Sequence, residues 1–81
     1  MVAVGITSKG KRIEFDCRYG NLFCYSTDLI SLEIPEGVKK VLCWGNLLTE
    51  LILPESVESL WCDKEVSGLD RFIYKIEIVL W

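Results

Sequence analysis

The hydrophobic residues of this chain recur with a constant period of about 19 residues. When the sequence is shifted along itself by one period, apolar side chains fall into columns. These columns read Leu22, Val41 and Leu60; Cys24, Cys43 and Cys62; and Tyr19, Val38, Val57 and Ile76. Such a period is typical of a solenoid, in which each coil buries its apolar face by stacking on its neighbours.

The period predicts a mainly β fold, a single leucine-rich-repeat-like solenoid domain over residues 1–81 with a parallel sheet. About four coils, each one period long, are expected at 1–18, 19–37, 38–56 and 57–75, followed by a terminal strand at 76–81. A chain of this length forms one small domain and has no room for a second.

The N-terminal segment supports a second interpretation. Residues 2–17 read "VAVGIT", "SKGK" and "RIEFDC", two stretches with alternating apolar residues around a glycine-containing turn. That pattern is typical of a β-hairpin, which would cap the solenoid. A degenerate first coil would also contain two short strands, so both interpretations stay open.

Alternation within each predicted strand separates an inner face from an outer face. Successive strand residues point to opposite sides, so the residues between the core columns must face outward. One outward column reads Val4, Phe23, Leu42, Trp61 and Leu80, and the next reads Ile6, Tyr25, Trp44 and Asp63. The two tryptophans are thus out of register because they occupy different outward columns.

A second column of short apolar strands, or of extended turns, is expected on the return side of the coils. There Leu32-x-Ile34 and Leu51-x-Leu53 lie one period apart, and each is followed by a proline. A proline fits a corner where no backbone donor is needed for a sheet.

One stretch resembles a known family. Val38 to Leu48, "VKKVLCWGNLL", fits the leucine-rich repeat pattern L-x-x-L-x-L-x-x-N-x-L. With the "TELILPESV" that follows, it is similar to the short bacterial repeats of about 19–20 residues with an L/I-P-E-x-V segment. The resemblance implies that Asn46 bonds backbone groups of adjacent coils. This asparagine ladder is incomplete, because the same column otherwise contains Ser8, Thr27 and Glu65.

Composition narrows the classes of partner. The net charge of −3 argues against nucleic acid, whose phosphates favour a clustered basic face. No stretch reaches the roughly 18 apolar residues that a membrane span needs, and the N-terminus does not resemble a secretory signal. We therefore expect a soluble cytoplasmic protein of a bacterial or host cell, with export by an unrecognised signal left open.

The four cysteines suggest packing before chemistry. Cys24, Cys43 and Cys62 lie one period apart, and the chain contains no C-x-x-C pair and no histidine. These three cysteines occupy leucine positions of the repeat and are expected to be small core residues. Cys17 lies outside the column and is the one most open to reaction. A cysteine-based metal or redox module is kept as an alternative, although the spacing favours no metal site.

Catalysis is not expected. Without histidine there is no Ser-His or Cys-His pair to activate a nucleophile. Glu36, Glu55 and Glu58 recur near the proline corner and are interpreted as solvated turn residues. We therefore predict a protein without enzymatic activity and without a cofactor.

The outward columns predict a protein-binding face. A contiguous apolar patch marks an interaction site, and aromatic residues dominate binding energy at interfaces. The expected anchors and neighbours are Phe23, Tyr25, Leu42, Trp44, Trp61 and Leu80, with Lys40, Asp63 and Asn21 as polar contacts at the rim. The partner is another protein, for example one that a bacterial or viral inhibitor occludes. The alternative is a homo-oligomer that uses the same face or the apolar C-terminal edge.

Overall fold

The computed structural model describes residues 1–49, 51–67, 69 and 76–80. Within these residues the protein is mainly β, with no helix. The described residues form seven strands: β1 (Val2–Thr7), β2 (Arg12–Asp16), β3 (Asn21–Phe23), β4 (Leu29–Glu33), β5 (Lys40–Leu42), β6 (Ser59–Cys62) and β7 (Glu77–Leu80). They form an antiparallel sheet in the order β2-β1-β4 and a parallel sheet in the order β3-β5-β6-β7. This described part of the chain contains no helix that could cross a membrane.

The repeat period sets the register of the parallel sheet. Leu22 of β3 lies beside Val41 of β5, which lies beside Leu60 of β6. The hydrogen bonds extend the pairing past the strands, since the Cys43 amide donates to the Trp61 carbonyl at 2.8 Å. The predicted parallel sheet and its inner columns are confirmed for these three strands.

The last strand departs from the period. Paired residues of β6 and β7 are separated in sequence by one residue less than the repeat period. Ile78 therefore lies beside Leu60, Val79 beside Trp61 and Leu80 beside Cys62. The prediction that Leu80 continues the outward column of Trp61 is therefore wrong, and Val79 takes that place. A one-residue change of register reverses which side chains share a face. Position 81 of the predicted terminal strand and positions 70–75 of the predicted fourth coil lie outside the described residues.

The N-terminal segment is an antiparallel hairpin, which was the second interpretation of residues 2–17. β1 pairs with β2 on one side, with Ala3 opposite Phe15, and with β4 on the other, with Gly5 opposite Leu32. Ala3 and Gly5 thus lie in the antiparallel sheet and do not continue the columns of Leu22 and Cys24. The expected first coil at 1–18, with Val4 and Ile6 in the outward columns, is corrected accordingly.

A glycine lets the hairpin pack closely on the rest of the chain. A Cβ atom at Gly5 would lie 2.6 Å from a methyl carbon of Leu29, which is closer than two non-bonded carbon atoms can approach. Leu29 is fully buried and belongs to β4, the strand that joins the hairpin to the repeats. The absence of a side chain at position 5 therefore leaves room for the buried Leu29 side chain against β1.

Most of the predicted inward positions of the return side are buried, with Leu32 half-buried, but the described residues form no second parallel ladder. Ile34, Leu51 and Leu53 are all buried. The strand on this side, β4, pairs with β1, and residues 51–54 form no strand. Turns follow Pro35 and Pro54, in agreement with the predicted corners.

The core lies between the parallel sheet and the return side. It contains the inner columns together with residues of the hairpin and the corners, namely Ala3, Cys17, Leu22, Cys24, Leu29, Ile34, Val38, Val41, Cys43, Leu48, Leu51, Leu53, Val57, Leu60, Cys62 and Val66. Tyr19 does not join the column of Val38 and Val57. It is 98% exposed in a tight turn with a φ of 54°, followed by Gly20 at 78°.

Candidate interaction face

The outer face of the parallel sheet carries the aromatic residues that the sequence placed there. Phe23, Leu42 and Trp61 lie side by side on β3, β5 and β6. Tyr25 and Trp44 continue the chain two residues beyond Phe23 and Leu42. We call these five residues the aromatic face. The opposite side of the same strands is fully buried, because Leu22, Val41 and Leu60 have no exposed area.

Exposure varies across the aromatic face. Phe23 is 55% exposed and Tyr25 is 47% exposed, whereas Leu42, Trp44 and Trp61 are half-buried. The exposed end of the face is therefore at β3, the edge strand of the parallel sheet. Side chains at this end can be covered by a second molecule at little cost to the fold.

Three aromatic rings contact one another in a continuous row. The rings of Tyr25 and Trp44 stack with centroids 4.7 Å apart and planes 5° from parallel. Trp44 then meets Trp61 with centroids 5.9 Å apart and planes tilted by 43°. Aromatic pairs in such arrangements contribute about 0.5–1.5 kcal/mol beyond their burial. The row therefore holds the indole of Trp44 in one orientation.

Lys40 adds a charge to this cluster. Its Nζ lies 5.8 Å from the centroid of the Trp61 ring, within the range of a cation–π contact. Lys40 was predicted to be a polar contact at the rim of the binding face, and it is exposed beside the aromatic face. Asn21 was also predicted to be a rim residue. It is half-buried at the start of β3, where it lies beside Lys40 of β5.

Asp63 has a structural role that its predicted rim position did not suggest. Its two carboxylate oxygens accept hydrogen bonds from the backbone amides of Gly45, at 3.0 Å, and Asn46, at 3.1 Å. Gly45 has a φ of 76°, and a Cβ there would lie 2.8 Å from the Ser26 hydroxyl oxygen. Asp63 thus fixes the tight loop that follows Trp44.

Asn46 bonds backbone groups of the preceding sequence repeat. Its Oδ1 accepts from the backbone amides of Thr27, at 3.0 Å, and Leu29, at 2.9 Å. Its Nδ2 donates to the carbonyls of Cys24 and Cys43, each at 2.9 Å. These bonds join the segments that follow β3 and β5, next to Tyr25 and Trp44. Asn46 and Asp63 therefore make the backbone under the aromatic row rigid.

The cysteines are free thiols inside the core. Burial raises the pKa of Cys24 to about 12 and that of Cys62 to about 11, with neighbouring Cys17 and Asp63 adding to the respective shifts. Burial also raises the pKa of Cys43 and of Cys17. Cys17 is 6% exposed, whereas Cys24, Cys43 and Cys62 are at most 1% exposed, so its greater reactivity relative to the other three stays a prediction. Among the residues described, no three histidine, cysteine or acidic side chains form a group that could hold a metal ion.

Leu80 lies apart from the aromatic face. It is 54% exposed, but it stands in register with Cys62 on the inner side of the last strand. Its neighbour Val79 is half-buried beside Trp61. Of the predicted binding residues, Phe23, Tyr25, Leu42, Trp44, Trp61 and Lys40 are brought together, while Asp63 is used in a loop and Leu80 is displaced by the register.

Sequence reasoning missed an exposed apolar residue on the return side. Ile52 is 71% exposed between the buried Leu51 and Leu53. The signal was available, because a residue between two inward positions must face outward. This surface is separate from the aromatic face.

Comparison with protein families, with characterised proteins and with solved structures gives no match for this chain. The leucine-rich repeat resemblance therefore rests on the residue pattern itself.

Proposed function

We propose that the repeats form a short leucine-rich-repeat-like solenoid and that the protein is a non-enzymatic module that binds another protein through its aromatic face. The observation that carries this proposal is the row Tyr25–Trp44–Trp61 on the outer side of a sheet whose inner side is core. Tyrosine and tryptophan are the residues enriched at binding hot spots. A flat face of this kind acts by covering a surface of the partner, as an inhibitor or a scaffold does.

The rigidity of the face supports the same function. Asn46 and Asp63 fix the backbone behind the aromatic row through hydrogen bonds of 2.9–3.1 Å. Side chains that are already held in place lose little conformational entropy when a partner covers them. The most exposed members, Phe23 and Tyr25, are then the first contacts, and the half-buried tryptophans complete the interface.

The proposed role needs neither cofactor nor catalytic group. The buried thiols have raised pKa values and are therefore thiols, not nucleophilic thiolates, at neutral pH. Four free cysteines also fit a reducing compartment, which supports a cytoplasmic location in a bacterial or host cell.

A homo-oligomer is the second candidate. The observation in its favour is β7, which lies at the edge of the parallel sheet among the described strands. Its residues Ile78, Val79 and Leu80 are all apolar, and Leu80 is 54% exposed. An apolar edge strand can pair with a strand of a second copy.

A capture experiment with matched variants tests the main proposal. The wild-type protein, Tyr25→Ser and Ile30→Ser are each immobilised and exposed to a lysate of the source organism. Ile30 and Tyr25 are equally exposed, at 47%, but Ile30 lies on β4. A partner retained by the wild type and by Ile30→Ser, but lost with Tyr25→Ser, supports the proposal. A partner retained equally by all three would show that the aromatic face is not the binding surface.

Light scattering of the purified protein separates the second candidate. A dimer that Tyr25→Ser disrupts would make the aromatic face a self-association surface. A dimer that persists in Tyr25→Ser but is lost in Leu80→Ser would assign self-association to β7.

A further inference from the structure

The return side of the coils contains an open groove. Two neighbouring segments are tied at one end by the bond from the Leu47 amide to the Leu29 carbonyl, at 2.8 Å. They are tied at the other end by the bond from the Gly37 amide to the Ser56 hydroxyl, at 2.9 Å. Between these ties lies a groove of about 480 Å³. This volume is within the range of about 300–1,000 Å³ that is usual for ligand sites.

The walls of the groove are apolar. Leu32 and Ile34 form one wall, at the end of β4, and Ile52 and Pro54 form part of the other. Ile52 remains 71% exposed, so a large part of its side chain faces water at the mouth of the groove. An apolar side chain placed here would remove that area from water, which favours binding by about 25 cal/mol for each Å² buried.

The charged residues in the described lining of the groove have a single sign. Glu33 and Glu36 belong to this lining, and no basic residue among those the structure describes does. The ion pairs of the described residues are Arg12–Glu14, Arg18–Asp16 and Lys39–Glu58, so neither groove glutamate takes part in one. Oε1 of Glu36 accepts a hydrogen bond from the Glu55 amide at 3.3 Å, which holds this carboxylate beside the groove.

We propose that this groove is a second binding site, and that its occupant is a peptide segment in which an apolar side chain stands next to a lysine or arginine. The apolar side chain would pack between Leu32, Ile34 and Ile52. The basic group would lie near Glu33 and Glu36, where its charge is complementary. No residue of the groove belongs to the aromatic face, so this site does not depend on the function proposed for that face.

The test uses two blocked five-residue peptides, one of alternating valine and lysine and one of alternating valine and glutamate. Each is titrated into the isotope-labelled wild-type protein and followed by amide chemical shifts. The lysine peptide is expected to shift the amides of Leu32, Glu33 and Ile52, with weaker binding at higher salt. Equal binding of the glutamate peptide, shifts confined to other surfaces, or no shifts with the lysine peptide would each overturn the proposal.

Three variants make the test specific. Glu33→Lys/Glu36→Lys and Ile52→Ser are each expected to raise the Kd of the lysine peptide about tenfold. Ile30→Ser is the matched control, because Ile30 is an exposed isoleucine outside the groove. These side chains are exposed, and the spectrum of each variant reports directly whether its fold is intact. An unchanged Kd in both groove variants would rule out the site.

Discussion

Trp44 contacts Trp61 diagonally across two strands, with ring centroids 5.9 Å apart, although the two residues occupy different outward columns. The residue directly beside Trp61 on β5 is Leu42. Trp44 lies two residues beyond Leu42, and a side chain at this diagonal position is within reach of a long aromatic side chain such as that of Trp61. This offset lets each indole pack on a different neighbour. The aromatic face is therefore half-buried at its centre and exposed to solvent at its β3 end.

This gradient of burial leads to a first prediction about Phe23. Replacing Phe23 with Ala should change the unfolding free energy by less than about 1 kcal/mol, because the side chain is 55% exposed. Its affinity for a partner on the aromatic face should fall by about 2 kcal/mol. Urea unfolding and a binding titration measure the two quantities. Leu22→Ala is the matched control, since Leu22 is the fully buried neighbour in the same strand and should lose about 2–5 kcal/mol of stability.

The second prediction concerns Asn46. Its replacement by Ala removes bonds to two amides and two carbonyls in the segments that follow β3 and β5. At about 1 kcal/mol for each net hydrogen bond, the loss should reach about 3–4 kcal/mol of unfolding free energy. Asn21→Ala is the control, because it makes the same change in β3 outside this network. Similar small losses in both variants would contradict the bonding of Asn46 described above.

The sequence alone was enough to predict the parallel pairing of β3, β5 and β6. The inner columns alternate with outer residues over three repeats, and a slip by one residue would bury Lys40 and expose Val41. The bonds of Asn46 were implied by its place in the repeat pattern. For these three strands, the repeat spacing in the sequence and the burial of the inner side chains give the same register.

The hairpin and the last strand could not be fixed in this way. The alternation in residues 2–17 fits both a hairpin and a coil, and the antiparallel pairing of β1 with β2 distinguishes them. In β7 the residues Ile78, Val79 and Leu80 are all apolar, so the observed register and the full period both place an apolar side chain beside Leu60. The role of Asp63 was hidden as well, because a carboxylate bonded to backbone amides leaves no spacing signal.

The buried thiols predict a loss of stability at alkaline pH. Cys24 and Cys62 have folded pKa values of about 12 and 11, above the ordinary thiol value of 9.0. The unfolded chain therefore releases protons first as the pH rises. Stability from these groups is fully present below pH 9 and is lost between pH 9 and about 11–12. Each thiol contributes a slope of up to about 1.4 kcal/mol per pH unit.

Urea unfolding at a series of pH values from 8 to 10.5 measures this slope. Cys62→Ala should show a shallower decrease than the wild type, because one buried ionisable group has been removed. It should also be less stable at pH 8, by about 1–2 kcal/mol, through the small cavity it leaves. Parallel curves for the two proteins would show that Cys62 does not contribute to the pH dependence.

The register of β7 gives the last prediction. Because Ile78 lies beside Leu60 and Val79 beside Trp61, Ile78 belongs to the core side and Val79 to the side of the aromatic face. Ile78→Ala should therefore cost about 1–2 kcal/mol of unfolding free energy, less than a fully buried isoleucine because Ile78 is half-buried. Val79→Ala should cost less than about 1 kcal/mol and should weaken partner binding. A register that kept the full repeat period would place Val79 beside Leu60 and reverse the two costs. Urea unfolding of both variants, with Leu80→Ala as an exposed control, decides between the two registers.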